Sequence, residues 1–126
     1  MIHPYNPEKH RAMVEGWLSH YSIPMPPDEY LPKEGFMSDD KAVAFLAPIS
    51  PGHCMIENVA GNPQADSRER SDAVAELFSY LEARAKFLGY KAVINLSANS
   101  QHQRRLINRG YVAQGTYTLY YKTLGD

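Results

Sequence analysis

The chain has 126 residues, 44% hydrophobic and 21% charged, with a formal net charge of −1. That is the size and composition of one soluble domain with one core, and it gives no global electrostatic case for binding nucleic acid or an anionic membrane. The single cysteine, Cys54, excludes an internal disulfide and every multi-cysteine zinc pattern. No run is apolar for long enough to span a membrane and the N-terminus lacks a secretory pattern, so the expectation is one cytoplasmic domain over residues 1–126.

Residues 1–5 read as a short strand, with Pro4 suggesting a sheet edge. Asn6 then caps a helix that has Pro7 at its first position. Met13, Val14, Trp17, Leu18 and Tyr21 recur on one stripe of that helix. Pro24, Pro26 and Pro27 forbid its continuation. Residues 22–33 therefore form a semi-rigid loop carrying Met25, Asp28, Glu29 and Tyr30, either a binding-site wall or a plain connector. A strand follows at residues 35–37, a hairpin turn at Ser38, Asp39 and Asp40, and a strand at residues 42–47 apolar enough to be buried on both faces. Pro51 and Gly52 turn the chain into another strand at residues 53–59, where Cys54 reads as a buried thiol.

The organising stretch comes next. Gly61, Asn62 and Pro63 stop the strand, and Asp66 or Ser67 can cap a helix. Val74, Leu77, Phe78, Leu81, Ala85 and Leu88 lie on one stripe, and Gly89 ends the helix. A strand at residues 91–96 completes a strand–loop–helix–strand crossover, whose helix N-terminus offers free N–H groups and a dipole suited to an anion. Asn99 or Ser100 caps a short helix closed by Gly110; strands at residues 111–112 and 117–124, separated by Gly115, are expected to close the sheet. The order implies an α+β (mixed α/β) fold with a central mixed, mostly antiparallel sheet flanked by helices.

Two stretches resemble the GNAT superfamily of N-acetyltransferases, and the element order does so over nearly the whole chain. One is the loop pattern Gln/Arg-x-x-Gly-x-Gly/Ala opening a long helix, matched at Arg68, Glu69, Arg70, Ser71, Asp72 and Ala73, with Ser71 in place of the first glycine. The other is an Asn followed eleven residues later by Gly and an aromatic, matched by Asn99, Gly110 and Tyr111. The resemblance implies the GNAT-like acyl-CoA N-acyltransferase fold, acetyl-coenzyme A as cofactor, and acetyl transfer to an unidentified amine of a small molecule or protein. It places the cofactor's diphosphate on residues 68–73 and its pantetheine arm on the backbone of Asn58, Val59 and Ala60, with Asn99 a further contact. The chemistry agrees in part: Arg68 and Arg70 can pair with phosphate oxygens, whereas the Asp72 carboxylate opposes them. The chain departs from the pattern at Leu106, where the family carries the Tyr that reprotonates the leaving thiolate.

Glu57 is the candidate base. It alternates with Met55 and Val59, so its carboxyl shares an apolar face and its pKa should rise through desolvation; the competing reading is a solvated or ion-paired carboxylate. The five histidines form no i, i+4 metal pair, and no metal site is expected. Arg104, Arg105 and Arg109 make a basic face on the last helix. A non-catalytic module that binds coenzyme A or a protein is the rival function. A third reading makes the Tyr117, Tyr120 and Tyr121 stretch a homodimer edge.

Overall fold

A computed structural model describes residues 1–97 and 100–125. Its first unit, Met1–Asn95, builds a five-stranded sheet in the order β1-β2-β3-β4-β5. The strands are β1 (Ile2–Pro4), β2 (Glu34–Ser38), β3 (Ala42–Ser50), β4 (His53–Gly61) and β5 (Ala92–Ile94); the α-helices of this unit are α1 (Pro7–His20) and α2 (Ser67–Phe87), with one 3-10 turn at Asp28–Tyr30. Neighbouring strands are antiparallel except β4 and β5, which are parallel because α2 crosses between them.

Local chemistry sets these boundaries. The Asn6 side chain accepts from the Glu8 amide, and Pro7 begins α1. Asp39 takes φ 47° in the β2–β3 turn, a left-handed value that Asp tolerates. Residues 42–46 of β3 are fully buried, as their unbroken apolar run implies, because a helix covers each face of the central strand.

On one face Val14, Trp17 and Leu18 of α1 cluster with Met37, Val43, Phe45 and Ala60, and Ile23, Met25 and Leu31 of the proline-rich loop pack against the cluster's margin. On the other face α2 buries Ala73, Val74, Leu77, Phe78, Leu81 and Ala85. It is fastened there by a two-pronged Arg84–Glu34 ion pair at 2.9 Å and by Tyr80 against Phe36. Cys54 is fully buried, its thiol 3.7 Å from the Ala92 carbonyl, and burial pushes its pKa up.

The second unit, Leu96–Asp126, contains α3 (Ser100–Asn108), on which Leu106 is buried. The strands expected at residues 111–112 and 117–124 are absent: residues 111–125 adopt no regular secondary structure. Tyr117, Leu119 and Tyr121 alternate like a strand, but Tyr120 and Leu124 put apolar groups at the opposite parity, so no single inner face fixes a register. Gly115, at φ 153°, adds a backbone value that side-chain-bearing residues rarely adopt. Among the described residues no helix is long and apolar enough to cross a membrane.

Phe78 is fully buried beneath α2. Phe78→Ala is expected to lower the unfolding free energy by about 3–5 kcal/mol in a urea titration.

Candidate active site

The site is built where β4 and β5 part. The two strands pair from His53↔Ala92 to Met55↔Ile94 and no further. β4 continues to Gly61, so among the described residues no strand pairs with residues 56–61 on the side away from β3. Main-chain groups on an unpaired strand edge are ready to bond an extended ligand.

A bulge shapes that edge. Glu57 pairs with Phe45 and Ala60 with Val43, leaving Asn58 and Val59 together opposite Ala44. Asn58 takes φ 51°, which Asn reaches more readily than a β-branched residue. The extra residue bends the strand and shifts its side-chain phase. Glu57 therefore shares its face with Ala60, not with Val59 as strict alternation predicts. The candidate residues Glu57, Asn58, Val59 and Ala60 all lie on this bent, unpaired stretch.

Glu57 and Phe45 face the α1 side of the sheet. The Glu57 carboxyl is half-buried, and desolvation raises its pKa. No hydrogen bond or ion pair engages it among the described residues. On the same face Phe45 lies over Gly35, where an added Cβ would come within 2.6 Å of the ring, and the edge of Tyr5 meets Phe45 at 5.2 Å between centroids. The Tyr5 hydroxyl is buried without a partner, and burial, followed by the Asp28 charge, raises its pKa. Tyr21 donates from its hydroxyl to the Gly61 carbonyl at 3.3 Å, tying the end of α1 to the end of β4.

The turn from β4 to α2 differs from the loop expected there. The helix starts at Ser67, so Arg68, Glu69, Arg70, Ser71, Asp72 and Ala73 form its first turns. Asp66 is the cap, and its carboxylate accepts from the amides of Arg68 and Glu69 at 3.1 and 3.3 Å. The Arg70 amide bonds the Asp66 carbonyl. The Arg70 side chain turns back over the loop, with Nη1 3.3–3.5 Å from the carbonyls of Asn62, Pro63 and Ala65. Gly61 makes room for it, since a Cβ there would collide with the Arg70 side chain. Arg68, Glu69, Ser71 and Asp72 are exposed, and Ala73 is buried in the α2 core face. The structure thus brings residues 57–60 together on one edge and commits Arg70 to the loop. Two amides expected to face an anion are engaged by Asp66.

Asn99 lies outside the described residues. Leu106 is buried and offers no proton. On the same helix, desolvation and the nearby Arg105 lower the pKa of His102. Sequence reasoning missed the bulge, for which an Asn in an apolar strand is the one usable signal. It also missed Asn95, which directly follows β5 and whose side-chain nitrogen is buried without a partner.

Comparison with solved structures supplies the fold's relatives. A protein from Agrobacterium tumefaciens described as an acetyltransferase superimposes with a TM-score of 0.68 at 14% identity, covering 98% of this chain and 99% of the other. Aminoglycoside N-acetyltransferase AAC(6')-Iy, in complex with CoA, gives 0.62 at 15% identity over 98% of this chain and 99% of its own. N-acetylglutamate synthase from Neisseria gonorrhoeae, complexed with coenzyme A and N-acetyl-glutamate, gives 0.59 at 20% identity; the match covers 83% of this chain but only 27% of the synthase. No family model and no curated protein matches the sequence.

The left-handed bulge residue is directly testable. Asn58→Gly should leave stability nearly unchanged, whereas Asn58→Val should cost about 1–2 kcal/mol, measured as a shift of the urea midpoint at constant slope. The fold on which these residues stand is that of the GNAT acetyltransferases.

Proposed function

We propose that the chain is an N-acetyltransferase that moves an acetyl group from acetyl-coenzyme A to an amine. The observation that carries the reading is the bent, unpaired edge of β4 beside the half-buried Glu57 carboxyl. Acetyl-coenzyme A supplies an activated thioester. The residues fit its reactive end: main-chain groups of Asn58, Val59 and Ala60 can bond an extended pantetheine arm and the acyl carbonyl. They fit its diphosphate only if Asp66 yields the two amides that it holds.

In this reading the amine nitrogen attacks the carbonyl carbon, the C–S bond breaks, and coenzyme A leaves as thiolate. Glu57 takes the amine's proton, directly or through water, and desolvation raises its basicity for that task. No side-chain acid is needed at Leu106, because a thiol of ordinary pKa, about 8.5 by analogy with cysteine, is a competent leaving group when ionised. The amine enters from the α1 side, past the proline-rich loop that Arg11 fastens through the Pro26 carbonyl and Asp28.

The rival reading, a non-catalytic module binding coenzyme A or a protein, draws on Leu106 and on the Asp66-capped turn. Calorimetric titration with acetyl-coenzyme A, followed by free-thiol release across a panel of amines, separates the two. Binding with release supports the enzyme; binding without release supports the module; a flat trace at millimolar ligand removes both coenzyme A readings.

Two further outcomes are expected. Because Glu57 binds its proton more tightly when folded, its contribution to stability is present below the ordinary carboxylate range and is lost as pH rises through the raised value. Glu57→Gln should remove that slope from melting temperature against pH and lower kcat about 100-fold or more, with the wild-type acid limb of kcat/KM lying above the usual carboxylate range. Separately, we propose a homodimer through the C-terminal segment, because Tyr117, Leu119, Tyr120, Tyr121 and Leu124 are each at least three-quarters exposed. Light scattering after size exclusion should give twice the chain mass, and truncation at residue 116 should return the monomer.

A further inference from the structure

The main-chain N–H of Asn6 belongs to the residue that caps α1, so the helix ladder offers it no acceptor. The His10 side chain supplies one: the Asn6 N–H donates to His10 Nδ1 at 2.8 Å. A Glu or Gln at the third helical position makes this reach-back contact in the usual capping box. Here the contact has moved to the fourth position and fallen to an imidazole. The exchange has a chemical consequence. A Gln amide oxygen accepts at any pH, whereas Nδ1 accepts only while it carries no proton. With Nδ1 accepting, the ring's one proton sits on Nε2.

The groups around the ring bear on its charge. The His3 ring of β1 lies 5.4 Å away between centroids, and the Tyr5 ring, on the link from β1 to α1, lies 5.9 Å away. Desolvation lowers the pKa of His10, and the nearby His3 and Lys9 lower it further, against the opposing pull of Asp40 in the β2–β3 turn. Asp39, beside it in the turn, is paired with the N-terminal ammonium. The ring also reaches the N-terminal end of α1, where the helix dipole opposes a positive charge. An open cavity of about 600 Å³ adjoins the cluster, lined by both imidazoles, Tyr5, Asn6 and Lys9. It leaves a charged ring room to turn outward and water to receive it.

We propose that His10 is an acid-sensitive latch on the first turn of α1: its neutral ring holds the Asn6 amide, and its protonated ring lets go and turns into the adjoining cavity. A solvent proton taken up at Nδ1 converts the acceptor into a second donor facing the Asn6 N–H, and the hydrogen bond is lost. The folded chain binds this proton less tightly than the unfolded chain does. The latch's contribution to stability is therefore present above the ordinary imidazole value and is lost as pH falls from there through the lowered one. Arg11, the next residue, fastens the proline-rich loop to α1 through the Pro26 carbonyl and Asp28, so the latch sits beside that loop's anchor. None of this depends on the acetyltransferase reading.

The test is heteronuclear NMR on the full chain from about pH 8 to about pH 5, a range that brackets the imidazole titration. It reads the ring proton of His10 and the exchange protection of the Asn6 amide, corrected for the intrinsic pH dependence of exchange and referred to the amide of the buried Leu77 in α2. The wild type should carry its ring proton on Nε2 at the upper end, and Asn6 should lose about tenfold in protection towards the lower end while Leu77 does not. His10→Asn places an uncharged acceptor oxygen where Nδ1 stands, so its Asn6 protection should stay level across the range. His10→Phe keeps a ring without an acceptor, and its Asn6 amide should exchange at the upper end as fast as the wild type's does at the lower. A ring proton on Nδ1 at the upper end, Asn6 protection that does not change, a fall that Leu77 shares equally, or the same fall in His10→Asn would each overturn the proposal. The ring-proton and wild-type exchange readings need no variant, so they decide the matter even where His10→Phe fails to fold.

Discussion

The parallel ladder between β4 and β5 is short, and the site depends on its shortness. β5 has 3 residues, and pairing ends at Met55↔Ile94. A parallel ladder is slightly weaker per residue than an antiparallel one, and here it is supported by the buried Cys54 side chain against Ala92. If β5 ran alongside β4 to Gly61, the main-chain groups of residues 56–61 would find their partners within the sheet. The edge could then bond nothing else. The bulge at Asn58 acts in the same direction, because a bent strand with an unpaired residue is a poor template for a straight neighbour.

The α1 side of the sheet explains why Glu57 is desolvated without being fully enclosed. Phe45, its cross-strand partner, is fully buried under α1, and the same cluster continues through Val43 to Ala60. Glu57 sits at the open margin of that cluster. The proline-rich loop that packs on the same cluster is held in place by several small attachments: Ile23, Met25 and Leu31 against the core, Arg11 to Asp28 and the Pro26 carbonyl, and Tyr21 to the Gly61 carbonyl. None is strong alone, since exposed ion pairs contribute little. Together they give a proline-rich segment, already short of backbone freedom, a defined position relative to β4.

Much of the fold was legible because its elements announce themselves locally. Asn6-Pro7 and Asp66 mark helix starts by their capping chemistry, the stripe from Val74 to Ala85 marks the buried face of α2, and the apolar run of β3 marks a strand covered on both sides. The crossover required a parallel pair, and one is present. The C-terminal strands were misread because strand propensity says only that a segment can pair. Whether it does depends on an available edge and a preferred face, and residues 117–124 specify neither. At the site, Glu57 was legible from its apolar neighbours. The phase shift after it was not, because alternation assumes a regular strand and a bulge breaks it at Asn58. Asn95 was invisible, since an unpartnered donor is a property of three-dimensional surroundings.

The Asp66 cap poses the sharpest physical question in the molecule. Its carboxylate holds the amides of Arg68 and Glu69, the groups that a diphosphate would need. An N-cap of this kind is worth about 0.5–2 kcal/mol. A diphosphate offers the same amides more acceptor oxygens and more charge than one carboxylate. Asp66 is exposed, so its carboxylate can turn out to solvent without leaving a buried charge behind. The Arg70 side chain presents a different case, because it turns back over the loop onto three of its carbonyls, with Gly61 kept bare beneath it. Moving it would take a donor from the Pro63 and Ala65 carbonyls, whereas the Asn62 carbonyl keeps the Ala65 amide. The turn is therefore a carboxylate-capped helix start in which Arg70 is committed to the loop and Arg68 stays exposed, rather than a loop with two free arginines.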